Sequence, residues 1–157
     1  MASLRLPKGS RIRHASEIRR TFDRGRSSAA GDVVVYAFDR ADGRPPRYGL
    51  VVGRKWGDAV TRNRVRRLLR ESFRTARPDL PAGIDFLLLP RGRLQSRAMP
   101  DVRAWLVRAA ASAVRRLAEG VTEAAARTAR TAAQSPDPAR VATPDASAPP
   151  GGAAEGA

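Results

Sequence analysis

The sequence predicts an α/β sandwich of about 110 residues, and three observations carry that expectation. Strand-like apolar runs recur at residues 31–39, 47–54 and 84–89. A helical pattern separates the last two of them, with Val65, Leu68, Leu69 and Phe73 on one stripe. Shorter helical patterns stand before the first run and after the last. The resulting order is helix, strands, helix, strand, helix.

Taken in chain order, residues 1–14 are basic and broken by Pro7 and Gly9, which reads as a flexible arm. Ser16 has the chemistry of an N-cap, with Glu17 in the first turn and Gly25 as the stop after a helix ending near Arg24. Ile18 and Phe22 lie four apart on one face of that helix. Residues 31–39, GDVVVYAFD, are rich in Val and aromatics and predict a strand. Alternation puts Val34, Tyr36 and Phe38 on one face and Val33, Val35 and Ala37 on the other, so both faces call for a cover. Asp42-Gly43 and Pro45-Pro46 mark a loop. Arg47 to about Arg54 predicts the next strand, and Ile84 to Leu89, bounded by Gly83 and Pro90, an interior one. Arg91-Gly92-Arg93 is a basic loop. The last helix spans roughly Pro100 to Leu117, with Val102, Trp105, Leu106, Ala109, Ala113 and Leu117 on its apolar face. Residues 119–157 form an Ala/Pro-rich tail. Its AAARTARTAA stretch can extend the helix, and disorder is expected past Ser135, because such a composition buries too little surface to offset chain entropy. The organisation expected is an arm over 1–14, one domain over 15–118 and the tail.

A formal charge of +15 and a pI near 11.7 point to a polyanionic partner. The charge is concentrated: residues 1–118 hold 27 Lys plus Arg against 10 Asp plus Glu, whereas residues 119–157 hold 3 against 5. Only two of the thirty basic residues are Lys. Codon bias can produce that preference, but it does not produce clustering. The absence of Cys excludes disulfides and thiolate chemistry, and a lone histidine, His14, leaves no zinc site of ordinary type. The N-terminal stretch has no apolar core of the secretory kind, and no run of about 18 apolar residues occurs, so a cytoplasmic protein without a membrane partner is expected.

The clustering is densest at residues 54–74, with eight basic residues against Asp58 and Glu71. Arg62, Arg66, Arg70 and Arg74 step by four opposite the apolar stripe, flanked by Asn63, Arg64 and Arg67. Six guanidinium groups and one amide give seven planar donors on a short helix, a set suited to bidentate contacts with phosphate oxygens. Asn63 has two open roles: donating to RNA, or capping the helix.

This stretch resembles the protein subunit of bacterial ribonuclease P. The residues that carry the resemblance are Gly49-Leu50-Val51-Val52, the basic turn Arg54-Lys55, Gly57-Asp58-Ala59-Val60, and Arg62-Asn63-Arg64 followed by Arg66-Arg67-Leu68-Leu69-Arg70-Glu71, in the family's order and spacing. Weaker resemblance extends from about Arg11 to Leu117. It implies a four-stranded mixed sheet, a left-handed β-α-β crossover through the basic helix, and a fold like a small ribosomal-protein domain. It also implies that Arg54, Lys55, Arg62, Asn63, Arg64, Arg66, Arg67 and Arg70 face a catalytic RNA subunit, with recognition of shape more than sequence.

Ile18, Phe22, Tyr36 and Phe38 can line a groove between the first helix and the sheet. The resemblance implies that such a groove binds the single-stranded 5′ leader of precursor tRNA, a task for which aromatic rings are suited. Plain core packing is the alternative for Phe22 and Phe38. Ile18 stands where the family usually has Phe, Gly53 where it has Ser, and Trp56 where it has Ile or Val; Trp56 reads as packing on the helix start. Asp23, Asp32, Asp39, Asp42, Asp58, Asp79, Asp85 and Asp101 are scattered and suggest no paired carboxylates for a two-metal nuclease. The function expected is therefore assistance to leader removal, with Mg²⁺ held mainly by the RNA subunit and no metal bound by the protein alone. No protein partner is implied. A ribosomal-type RNA-binding protein without enzymatic context is the alternative.

Overall fold

Strand alternation at residues 33–39 divides the molecule into a thick side and a thin one. In the computed structural model, which describes residues 5–133, Val33, Val35 and Ala37 are completely buried, whereas Val34, Tyr36 and Phe38 are half-buried. The elements are α1 (Ala15–Arg24), β1 (Arg26–Ala30), β2 (Val33–Asp39), β3 (Arg47–Leu50), α2 (Ala59–Ala76), β4 (Ile84–Pro90) and α3 (Met99–Ala133). One sheet runs in the order β1-β2-β4-β3. Its β1–β2 and β2–β4 pairs are antiparallel and its β3–β4 pair is parallel, with α2 as the connection. The sheet is four-stranded and mixed, as the resemblance implies.

The core lies between the sheet and the pair α2 and α3. Val33, Val35 and Ala37 meet Phe86 and Leu88 of β4, Val65, Leu69 and Phe73 of α2, and Val102, Leu106 and Ala109 of α3. Phe73 stands between Tyr48 and Phe86, with ring centroids 4.8 and 6.4 Å away. Each fully buried Val, Leu or Phe among them contributes about 1.5–3 kcal/mol of burial. The opposite sheet face is covered by α1 and, beside Leu87 and Gly49, by Ile12 of the arm, and around Val34, Tyr36 and Phe38 it stays partly open.

Several elements depart from expectation. The first strand segment is a hairpin: Arg26–Ala30 pairs with β2, although its sequence, RSSAA, carries little strand composition. Pairing with a strong neighbour outweighs weak intrinsic propensity. The helix α1 starts at Ala15 with His14 in the cap position and no side-chain cap, so Ser16 is not the N-cap. Gly25 does end it. Its N–H donates to the Thr21 carbonyl, and a Cβ there would stand 2.6 Å from the Ala37 carbonyl oxygen. β3 is shorter than expected, and Arg54–Trp56 forms a 3₁₀ turn. The β4 run is interrupted by Asp85, whose side chain is completely buried.

The arm is in part a sheet segment. The Ile12 N–H donates to the Tyr48 carbonyl at 2.7 Å, and the Tyr48 N–H donates to the Ser10 carbonyl at 2.8 Å, so Arg11 bridges Tyr48 in parallel register. Ser10 and Ile12 are buried while Arg11 and Arg13 are exposed. This pairing covers the free edge of β3. The helix α3 runs from Met99 to Ala133, past the Leu117 at which the sequence places its end. Residues 1–4 of the arm and the disorder expected past Ser135 lie outside the described residues.

Candidate RNA-binding surface

The basic helix is set by its first turn. Gly57 takes φ 103°, a left-handed conformation that favours glycine, and turns the chain into Asp58. The Asp58 Oδ1 accepts the Thr61 N–H at 2.8 Å, and that backbone bond holds the carboxyl below its ordinary range. Asp58 is therefore the cap, and Asn63 is not. Asn63 lies exposed within α2, its Oδ1 accepting from Arg66 Nη1 at 3.4 Å.

The arginines of α2 fall into three groups. Arg64, Arg67 and Arg70 are exposed, and among the described residues their side chains have no hydrogen bond or ion pair. Arg62 and Arg66 are half-buried and lean on backbone, Arg62 Nε towards the Asp58 carbonyl at 3.4 Å and Arg66 Nη2 towards the Val52 carbonyl at 3.5 Å. Arg74 is matched to Glu71 at 2.8 Å. Arg54 and Lys55 are exposed on the 3₁₀ turn, whereas Trp56 is half-buried against the core, in its packing role. Asn63, Arg66, Arg67 and Arg70 share a hollow of about 260 Å³ with Arg11. Arg11 is an addition to the expected site residues. The alternation Ser10-Arg11-Ile12-Arg13, apolar side in and basic side out, is the signal in the sequence that points to it.

The open sheet face carries the aromatic groove. Strand register sets Val34 beside Leu89, Tyr36 beside Leu87, and Phe38 beside Asp85. Phe22 of α1 meets Tyr36 edge to face, with centroids 4.8 Å apart and planes at 70°. Ile18 is half-buried one turn earlier on the same helix. None of Ile18, Phe22, Tyr36 and Phe38 belongs to the buried core cluster. Phe38 differs from the others because the Arg20 guanidinium covers its ring at 4.7 Å.

Beyond Phe38 the groove becomes ionic. Asp85 accepts Arg47 Nε on Oδ1 at 2.8 Å and Arg47 Nη2 on Oδ2 at 2.7 Å. Arg40 Nη1 adds a bond to Oδ1 at 2.5 Å, and Arg20 Nη2 stands 3.7 Å from Oδ2. Arg40 also holds Asp42, and Arg47 holds Glu17 at 3.0 Å. The hydrogen bond from Arg40 lowers the Asp42 carboxyl to about 2. Hydrogen bonding to Asp85 keeps the Arg47 guanidinium above its ordinary value. Beside this network opens a hollow of about 680 Å³. Sequence reasoning misses the network. An aspartate inside an otherwise apolar strand is the signal, because a buried carboxylate requires partners.

Among the described residues, no three acidic or histidine side chains gather in a way that could hold a metal ion. Nor is any described helix long and apolar enough to cross a membrane. His14 is exposed at the start of α1.

Comparison with known proteins agrees with this geometry. The family model described as Ribonuclease P matches residues 6–114. The ribonuclease P protein component of Oleidesulfovibrio alaskensis is 40% identical over 93 residues, covering 59% of this chain and 74% of that protein. That of Bacillus cereus is 32% identical over 102 residues, with 65% and 89% covered. The solved RNase P protein of Staphylococcus aureus superposes with a TM-score of 0.57 at 26% identity, over 65% of this chain and 93% of that one. That of Thermotoga maritima gives 0.57 at 30% identity, with 62% and 92% covered.

Proposed function

Because the chain belongs to the ribonuclease P protein family, we propose that it is the protein subunit of a ribonucleoprotein that removes the 5′ leader from precursor tRNA. The observation that carries the proposal is the division of labour across one sheet. Unmatched arginines stand on the outer side of α2, and half-buried aromatics stand on the open face below α1. The two chemistries suit two RNA elements. Arg62, Arg64, Arg66, Arg67 and Arg70, with Asn63, Arg54 and Lys55, suit the phosphates of a folded RNA subunit. Phe22 and Tyr36 suit the unpaired bases of a leader.

The mechanism follows from charge. Two RNAs brought together repel one another through their phosphates. A basic protein at the junction lowers that repulsion and holds the leader in line. Hydrolysis itself is assigned to the RNA subunit, with Mg²⁺ supplied there. The most deeply buried carboxylate of the described protein, Asp85, is already bonded to two arginines, an arrangement that leaves it poorly placed to serve a metal.

The test is reconstitution at low Mg²⁺. Adding the chain to the RNA subunit is expected to restore leader removal, while the chain alone with Mg²⁺ cleaves nothing. Cleavage by repurified, RNA-free chain would overturn the assignment of chemistry. Tight RNA binding without stimulation would indicate a ribosomal-type RNA-binding protein instead.

A further inference from the structure

We propose that the hollow beyond Phe38 receives a backbone phosphate of single-stranded RNA through Arg20, Lys8 and Arg44, extending the leader's track past the aromatic groove. The inference rests on the leader-groove reading above and adds residues to it.

The ionic groups around the hollow do not balance. Lys8, Arg20, Arg40, Arg44 and Arg47 line it together with Glu17 and Asp42, and Arg40 and Arg47 bond the buried Asp85. All three carboxylates are engaged by the same two arginines: Arg40 bonds Asp42 and Asp85, and Arg47 bonds Glu17 and Asp85. Among the described residues the side chains of the other three cations make no hydrogen bond to these carboxylates: Arg20 reaches Asp85 only as a 3.7 Å ion pair, and the Arg44 side chain acts on Asp42 through its charge alone. The carboxylate oxygen nearest Arg20, 3.7 Å away, already accepts Arg47 at 2.7 Å. The Arg20 Nε is buried without a hydrogen-bond partner. Lys8 and Arg44 are exposed, and among the described residues their side chains have no acceptor. Asp85 thus fixes Arg40 and Arg47 as scaffold, and the guanidinium and ammonium donors of Lys8, Arg20 and Arg44 keep hydrogen-bonding capacity for an outside anion.

Position identifies the anion. Arg20 lies over the Phe38 ring, so that face of the ring cannot take a base. Tyr36 and Phe38 lie two residues apart on one strand face, about 7 Å. The groove therefore changes from an aromatic surface to a cationic one within a short step, and a single strand offers bases and phosphates in the same alternation. Guanidinium forks at Arg20 and Arg44 match phosphodiester oxygens, and Lys8 adds a point charge.

The test uses the full chain with the RNA subunit and precursor tRNAs whose leaders are lengthened one nucleotide at a time. Three variants are compared with the parent: Lys8→Ala/Arg44→Ala, Tyr36→Ala, and the charge-matched control Arg108→Ala/Arg115→Ala on α3. Lys8 and Arg44 are exposed, and an unchanged melting curve establishes that their variant folds. The expected result is a several-fold loss of affinity for long leaders in Lys8→Ala/Arg44→Ala. That loss should fall away as the leader is shortened, and the salt slope should drop by about 0.7 for each single-strand phosphate left without its cation. A loss equal at all leader lengths would overturn the proposal and place these cations on the RNA subunit or the tRNA body. So would a loss no greater than that of the control pair. If Tyr36→Ala shows leader dependence and Lys8→Ala/Arg44→Ala does not, only the extension fails. If neither does, the groove reading fails with it. Added inorganic phosphate separates the remaining source. If phosphate at the concentration of the salt titration abolishes the leader-length effect beyond an equal ionic strength of chloride, the hollow is a free-phosphate site and the strand assignment is wrong.

Discussion

Asp85 and Arg47 are matched fork to fork across β4 and β3, with bonds of 2.8 and 2.7 Å to the two carboxylate oxygens. They are also direct partners in the parallel strand register. The carboxylate is wholly buried and is shared with Arg40, so it ties β3, β4 and the 40–46 loop together. Removing one member of a buried pair leaves uncompensated charge, which costs about 3–5 kcal/mol. Asp85→Ala is therefore expected to destabilise the fold by about 3 kcal/mol or more. Chemical denaturation of parent and variant checks this; a change below about 1 kcal/mol, the scale of a surface pair, would show that the network is not structural.

Asp42 gives a prediction in pH. Its carboxyl lies at about 2 in the folded chain against an ordinary 3.8, because Arg40 donates to it. A depressed carboxyl contributes stability that is complete above the unfolded value and lost as pH falls through the folded one. The thermal midpoint should therefore drop as pH falls from about 4 towards 2. Asp42→Asn should show a shallower drop there and a lower midpoint at neutral pH. Asp58, also depressed, acts in the same direction, so the slope is reduced and not abolished. Parallel curves for parent and variant would refute the pairing.

The start of α2 separates a structural residue from a binding one. Asp58→Ala removes the side chain that accepts the Thr61 N–H and should lower the melting temperature. Asn63→Ala should leave it nearly unchanged, because its one hydrogen bond, to Arg66, is exposed and long. Only the second variant should weaken binding to the RNA subunit at a temperature where both are folded. Reversal of this pattern would return Asn63 to the capping role.

Arg62 and Arg66 are placed against the backbone one turn apart on the basic face. Changing both to Ala should weaken RNA-subunit binding and reduce the salt slope by about one for each phosphate that no longer has its guanidinium. A weaker complex with an unaltered slope would mean that these residues act by shaping the helix.

Much of this architecture was legible in the chain. The stripe Val65, Leu69, Phe73 is fully buried, and Val102, Leu106, Ala109 and Ala113 face the core as their spacing requires. The motif from Gly49 to Glu71 identified the family, and the family supplied the mixed sheet that periodicity alone does not specify. Three features were hidden, each because its cause is non-local. β1 is a strand only because β2 pairs with it. Residues 10–12 are ordered by the free edge of β3 rather than by their own composition. The Asp85 network joins residues 17, 40, 47 and 85, and no local pattern announces that they meet. Phe38 also looked equivalent to Tyr36 by alternation, yet Arg20 covers one and not the other.

The most direct test of the leader groove is the affinity of the reconstituted particle for precursor and mature tRNA when it carries Tyr36→Ala. Tyr36 is half-buried on the open face and packs edge to face with Phe22, so its removal should delete one stacking surface while the core on the other side of the sheet stays intact. The account predicts a loss of about 1–3 kcal/mol for precursor tRNA, the usual worth of one base stack. Mature tRNA, which has no leader to occupy the groove, should bind as before. An equal loss for both substrates would place Tyr36 in the fold's support and leave the groove without a ligand.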